Sequence, residues 1–303
     1  MITRRRMISI LAGAAALPLI GQGARASAYK WSGVALGANA NIVLDHEDAK
    51  ALTQKALLEI ARLEKVFSLY LPDSQLARLN RDGVLADPAV ELLDLINISD
   101  RIYRETAGVF DPSVQPLWAL HAQKYAKGEQ PTPNEIAAAR ARSGWMGISA
   151  SPSQVEFSKP DMALTFNGIA QGYIADKVAD LLRQEGVKNV LVNTGEISAQ
   201  GVAPNGMPWP VSLAYKNEQQ NLSNAAIATS SPNGTAFDQG GQAGHILDPH
   251  TGQPGGMWQS LSVVDKSAAR ADGLSTAFCL MSRAKIEAVP GAHKLIFGDP
   301  ILT

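Results

Sequence analysis

The chain has 303 residues, with 27 Lys and Arg against 28 Asp and Glu and a formal net charge of −1, which is enough chain for one large domain with an ample core. Residues 1–26 hold four arginines and no acid, so residues 27–303 carry 23 basic and 28 acidic residues, a net −5 that argues against nucleic acid as a partner. The single cysteine, Cys279, cannot make an internal disulfide, and its neighbours Phe278, Leu280 and Met281 mark it as a small buried hydrophobe.

The first element is a leader. Thr3-Arg4-Arg5-Arg6-Met7-Ile8-Ser9 precedes an Ala- and Gly-rich apolar run through Ile20, and Ala24-Arg25-Ala26 and Ala26-Ser27-Ala28 both offer small-x-small cleavage patterns. Paired arginines after a threonine look like a twin-arginine export signal, and an apolar run of about 14 residues is too short to span a bilayer. Residues 1–26 are therefore expected to be removed, leaving 27–303 as one periplasmic domain with no membrane span. No cysteine lies at the cleavage region to carry a lipid.

Residues 33–44 read as an entry strand broken by small residues. Glu47 to Tyr70 reads as an amphipathic helix, with Leu52, Ala56, Leu57, Ile60, Leu63 and Phe67 on one face. It runs into a turn at Pro72-Asp73. A second helix is expected from Pro88 to Thr106, ended by Gly108, and residues 121–143 read as a polar, helical, exposed excursion. From Val155 short strands alternate with helices: a strand at 163–166, a small-residue turn at 167–172 and a helix over Tyr173 to Gln184 capped by Gly186. Then come a buried strand at 189–195, strands near 211–215 and 261–265, a helix from Ser267 and a last strand at Lys294–Phe297. No Pro-, Gly- or Ser-rich linker divides the chain, so the fold class is α+β, a single domain with a mixed or antiparallel sheet and packed helices.

Two segments carry chemistry. Asp272 and Thr276 are four residues apart on the helix expected from Ser267, which puts a carboxylate and a hydroxyl on one face. Hard oxygen ligands of this kind suit Mg²⁺ when it also holds a phosphate; an acid near a helix start with a back-bonding threonine is the plainer alternative. The turn Asn167-Gly168-Ile169-Ala170-Gln171-Gly172 exposes backbone N–H groups that can receive a phosphate, yet G-x-G-x-x-G, a Walker A lysine and a G-x-S-x-G elbow are all absent. His245 and His250 lack a third ligand at zinc-site spacing.

Taken together, the motifs resemble the ApbE family of FAD:protein FMN transferases through nearly the whole chain after the leader. The family's FS-x-Y-x-PDS-x-L-x-x-LN is met from Phe67 to Asn80, its G-x-FDP-[ST]-V-x-PL from Gly108 to Leu117, and its DLGGIAKGY turn from Thr165 to Tyr173. Its H-[IV]-[IV]-DP-x-TG-x-P is met from His245 to Pro254, and its AD-[AG]-L-[AS]-TA from Ala271 to Ala277. The resemblance implies an ApbE-type fold and Mg²⁺-dependent transfer of FMN from FAD to a threonine or serine hydroxyl of an acceptor flavoprotein, with release of AMP. It also implies metal ligation by Gly168, Asp272 and Thr276 with Ser275 assisting, and His245 and Asp272 as catalytic residues. Leu36, Tyr70, Val109, Phe110, Asp111, Thr165, Gln171, His245 and Ile246 would border the FAD. Thr165 stands where the family has an aspartate and Gln171 where it has a lysine, so two charges beside the nucleotide are missing. The exported form is similar to accessory members of the family found with nitrous oxide respiration. Two alternatives stay open: an FAD pyrophosphatase giving FMN and AMP, and a non-catalytic flavin-binding protein.

Overall fold

The computed structural model describes residues 28–35, 38–291 and 294–301. The leader at 1–26 and Leu36 lie outside the described residues. Among the described residues twelve strands are formed: β1 (Tyr29–Ala35), β2 (Ala38–Leu44), β3 (Val84–Ala86), β4 (Ile148–Ala150), β5 (Gln154–Phe157), β6 (Val190–Asn193), β7 (Ile197–Gln200), β8 (Trp209–Leu213), β9 (Glu218–Leu222), β10 (Ala225–Ser230), β11 (Leu261–Asp265) and β12 (Lys294–Phe297). Seven of them make one sheet in the order β1-β2-β6-β7-β10-β11-β12, with every neighbouring pair antiparallel. The α+β class read from the sequence therefore holds, in its antiparallel form.

Alternation along these strands sorts the core into two layers. Ile42, Leu44, Val190, Val192, Ala226, Ala228, Leu261 and Val263 face a helical layer. Val43, Leu191, Ile197, Ala199 and Ile227 point the other way, onto Trp209, Val211, Leu213 and Leu222 of the β8–β9 hairpin. The helical layer contains α1 (Ala49–Phe67), α2 (Gln75–Asp82) and α3 (Val90–Glu105), with α6 (Ala170–Gln184) and α7 (Ala268–Phe278) nearest the sheet. Two further helices, α4 (Gln115–Ala126) and α5 (Pro133–Ala141), stand to one side, and a short α8 (Arg283–Glu287) precedes β12.

Several boundaries differ from the sequence reading, each for a local reason. The strand expected at 33–44 is instead parts of two strands, β1 and β2, paired antiparallel. The first helix stops at Phe67 because the Ser68 hydroxyl accepts the N–H groups of Tyr70 and Leu71 in an extended conformation. The turn after it continues into α2, where Ser74 caps by accepting Ala77 N–H and Gly83, at φ 74°, ends the helix. No strand forms at 163–166, because Leu164 N–H goes to the Asn80 side chain and Thr165 N–H to the Pro112 carbonyl. The 121–143 excursion is not simply exposed. It is α4 and α5 around a small core of their own, where Leu117, Ile136, Ala139 and Leu247 are buried.

Candidate functional site

The site is built where α6 and α7 cross. Helix α7 is rich in small residues, Ala268, Ala269, Ala271, Gly273 and Ala277, which lets its backbone approach closely. A β-carbon at Gly172 would sit 2.2 Å from the Ala268 carbonyl oxygen, so only glycine fits there. The contact also brings Gly172 N–H to Asp272 Oδ2 at 3.1 Å. Gly168, just before α6, is held in the same way: a β-carbon there would lie 2.8 Å from Thr276 Oγ1, and its carbonyl oxygen is 3.4 Å from that hydroxyl. The carbonyl of Gly168, the carboxylate of Asp272 and the hydroxyl of Thr276 thus meet on the floor of a cavity of about 270 Å³.

Apolar groups form the walls: Val109, Phe110, Pro112, Val114 and Trp118 on one side, Ile246, Leu247 and Leu280 on another. His245 enters through a hairpin fixed by the Leu247–Pro254 bridge, by Asp248 Oδ1 accepting His250 N–H, and by Gly252 at φ 76°. Its Nδ1 lies 3.0 Å from the Thr235 carbonyl. A carbonyl can only accept, so Nδ1 carries the proton and Nε2 keeps its lone pair. Burial holds the imidazole below the usual histidine range, against the opposing pull of the backbone carbonyls of Thr235 and Pro232. A neutral histidine with Nε2 as acceptor is equipped to take a proton.

The cavity is acidic without a counter-cation. Among the described residues no Lys or Arg lines it, while Asp272, Glu196 and Asp111 do. Burial raises the Asp272 carboxyl to about 7, and the Gly172 N–H only partly opposes that. Glu196, also fully desolvated, is raised by burial first and by the Asp272 charge second. Asp111 is different. Its Oδ1 accepts the N–H and hydroxyl of Ser113 at 2.8 and 2.6 Å, capping the turn Pro112–Val114, so its carboxylate serves the wall rather than the floor.

Most residues marked by the sequence converge on this one place. Val109, Phe110, Asp111, Thr165, Gly168, Gln171, His245, Ile246, Asp272 and Thr276 all line the cavity. Ser275 does not. It is fully buried, and its hydroxyl donates to the Asp272 carbonyl at 3.0 Å while accepting from Ser230 at 2.7 Å, so it sits behind the floor instead of presenting an oxygen to a metal. Tyr70 also stands off the cavity, half-buried and beside Asn167. The Thr165 hydroxyl accepts Asn167 N–H at 3.2 Å, the same turn-forming bond an aspartate would make, so the shape of the turn is kept and only the charge is lost. Gln171 is folded down over Gly195, its amide within 2.7 Å of where a β-carbon would be. The sequence reading missed Glu196, Thr229 and Ser230. Ser230 continues the helix-facing alternation of Ala226 and Ala228 on β10, whereas Glu196 lies in the turn before β7 and Thr229 follows Ile227 on the opposite face, so no local pattern pointed to those two.

The chain matches the family described as the ApbE family over residues 36–295. An FAD:protein FMN transferase of Vibrio cholerae is 30% identical over 283 residues, covering 87% of this chain and 84% of that protein. One from Salmonella typhimurium is 28% identical over 265 residues, covering 81% and 75%. Among solved structures, the apo form of the Pseudomonas stutzeri flavinyl transferase ApbE superposes with a TM-score of 0.78 at 27% identity, covering 89% of this chain and 94% of that one. The motifs converge on one cavity and the match runs through almost all of the described residues: this chain belongs to the ApbE family.

Proposed function

We propose that the chain transfers the FMN half of FAD to a threonine or serine hydroxyl of a protein acceptor, releasing AMP, in a Mg²⁺-dependent reaction. The relatives' name supports FAD as donor and a protein as acceptor. The observation that carries the metal is the floor of the cavity. A carbonyl, a hydroxyl and a carboxylate converge there beside a second carboxylate, with no Lys or Arg among the described lining residues to receive a diphosphate. Gly168, Asp272 and Thr276 would hold the cation. When bound, Mg²⁺ neutralises diphosphate oxygens and makes the phosphorus more electrophilic.

The chain's own residues supply the rest. The apolar walls from Val109 to Trp118 and from Ile246 to Leu247 give a heteroaromatic ring a dry surface and keep bulk water from the phosphorus. His245 Nε2 takes the proton of the acceptor hydroxyl as its oxygen bonds to the flavin-side phosphorus and the bond to the AMP phosphate breaks. Gly172 N–H keeps Asp272 turned toward the floor, and the Ser230–Ser275 pair fixes the backbone behind it.

Incubation with FAD, Mg²⁺ and a threonine-bearing acceptor domain should yield an FMN adduct on threonine by mass spectrometry, and EDTA should abolish it. Release of AMP at the same rate without acceptor would instead support a pyrophosphatase. Bound FAD with no AMP would support a flavin-binding protein. The twin-arginine pattern at Thr3–Ser9 supports an exported, periplasmic enzyme that matures a respiratory membrane flavoprotein of nitrous oxide reduction. Replacing Arg4 and Arg5 by lysine should then keep the uncleaved chain in the cytoplasm, and deleting the gene should leave that flavoprotein without FMN.

A further inference from the structure

Glu196 is a buried acid with a task unfilled. It follows Gly195, whose φ of 115° turns the chain between β6 and β7, and it is only 7% exposed. One oxygen, Oε2, accepts Thr229 N–H at 3.1 Å. The other has no hydrogen-bond donor among the described residues, because each nearby hydroxyl is committed elsewhere. Tyr215 donates to the Ile296 carbonyl, Thr229 Oγ1 pairs with Ser262 at 2.7 Å, and Ser230 donates to Ser275. No described Lys or Arg lines the cavity that Glu196 shares with Asp272, Thr276 and Gly168. Holding Thr229 N–H does not require an acid, since an amide oxygen would accept it equally well. A carboxylate left with an open oxygen in a buried cavity, beside a second carboxylate, is costly unless it takes up a proton or a cation comes to it, and a cation can serve both acids at once.

We infer that Glu196 is a further oxygen donor to the divalent cation, reaching it directly or through one bound water, so that the cation site forms before FAD arrives. The inference rests on the metal-dependent reading above and extends it to a residue outside the Gly168, Asp272 and Thr276 set. A site with two facing carboxylates holds a divalent ion without a phosphate ligand, whereas a site with one carboxylate depends on the nucleotide to complete it.

The test is Mn²⁺ binding to the purified, FAD-free chain, followed by electron paramagnetic resonance of the free ion. The parent protein should bind one Mn²⁺, and Glu196→Gln should bind it at least tenfold more weakly, with a melting temperature in EDTA equal to or above the parent's. Glu196→Asp, which keeps the charge on a shorter arm, should fall between them. Mn²⁺ affinity of Glu196→Gln within twofold of the parent overturns the inference, as does a parent that binds no Mn²⁺ until FAD is added. A melting temperature that drops in EDTA with unchanged Mn²⁺ affinity assigns Glu196 to anchoring β10 alone and also overturns it. The metal-dependent reading itself fails on a different result, AMP release from FAD that is indifferent to Mg²⁺ and EDTA.

Discussion

Asp272 should make the metal-free protein weaken as pH rises, the reverse of what surface carboxylates do. Its carboxyl is raised from an ordinary 3.8 to about 7 by burial, so the folded state holds a proton that the unfolded chain gives up. With the folded value above the unfolded one, the stabilisation is complete below about pH 4 and is lost as pH climbs through 7. A shift of that size corresponds to about 4 kcal/mol at most, and less where Glu196 shares the proton. At ~2–4 °C per kcal/mol for a domain of this size, the loss amounts to roughly 10 °C in melting temperature. The perturbation is Asp272→Asn, which keeps an oxygen for Gly172 N–H but has no proton to lose. Melting curves in EDTA from pH 5 to 8 should show the variant's advantage over the parent growing toward pH 8, and saturating Mg²⁺ should erase it by stabilising the parent alone. A parent–variant difference that stays flat with pH would refute the reasoning.

Other substitutions test the remaining parts. His245→Asn should slow transfer by about 10²–10⁴-fold. In the parent at saturating Mg²⁺ the rate should rise through a value below 6.5 and level off by neutrality, because burial lowers this imidazole; a rate still climbing steeply above pH 7 would contradict it. Gly172→Ala would drive a methyl into the Ala268 carbonyl, 2.2 Å away. It should cost about 1–3 kcal/mol in denaturant melts and weaken Mn²⁺ binding together, as α6 and α7 are forced apart. Gln171→Lys restores a cation beside Asp272 and Glu196. Equilibrium dialysis should find FAD bound several-fold more tightly without metal, and Mn²⁺ held more weakly.

The legible part of the fold and site was whatever local sequence determines. Ser267 capping α7 through Arg270 N–H, Gly186 ending α6 and the Asp248–Gly252 hairpin are short-range devices that residue types specify. The spacing of Asp272 and Thr276 on one helix face is of the same kind. What escaped was non-local. Glu196 comes directly after a glycine turn, where an acid ordinarily meets solvent; only the pairing of β7 with β10 beneath α7 buries it. Ser275 sits one residue from Thr276, yet a 100° step around the helix turns its hydroxyl from the cavity to Ser230. Helix α4 looked solvated because its pattern is weakly amphipathic. Its buried His121 finds its partner, the Gly252 carbonyl at 2.9 Å, 131 positions along the chain.

That last bond separates the cavity into halves with different mechanical origins. The floor belongs to the main core, locked by two helices in backbone contact. The outer wall is shared: Phe110 and Ile246 pack into the main core, while Trp118 and Leu247 belong to the α4–α5 annex, which is tied to the 245–255 hairpin by His121 on Gly252 and by Arg140 on the His250 carbonyl at 2.6 Å. Two hydrogen bonds, a four-residue apolar cluster and the rings of Trp118, His121 and Tyr125 packed on Phe237 make a much smaller body of contacts than the main core. Local opening should therefore begin at the annex side of the wall, around Trp118 and Leu247, while the floor of Gly168, Asp272 and Thr276 keeps its shape. Changes confined to the annex would then alter the mouth of the cavity and leave the two-helix floor in place.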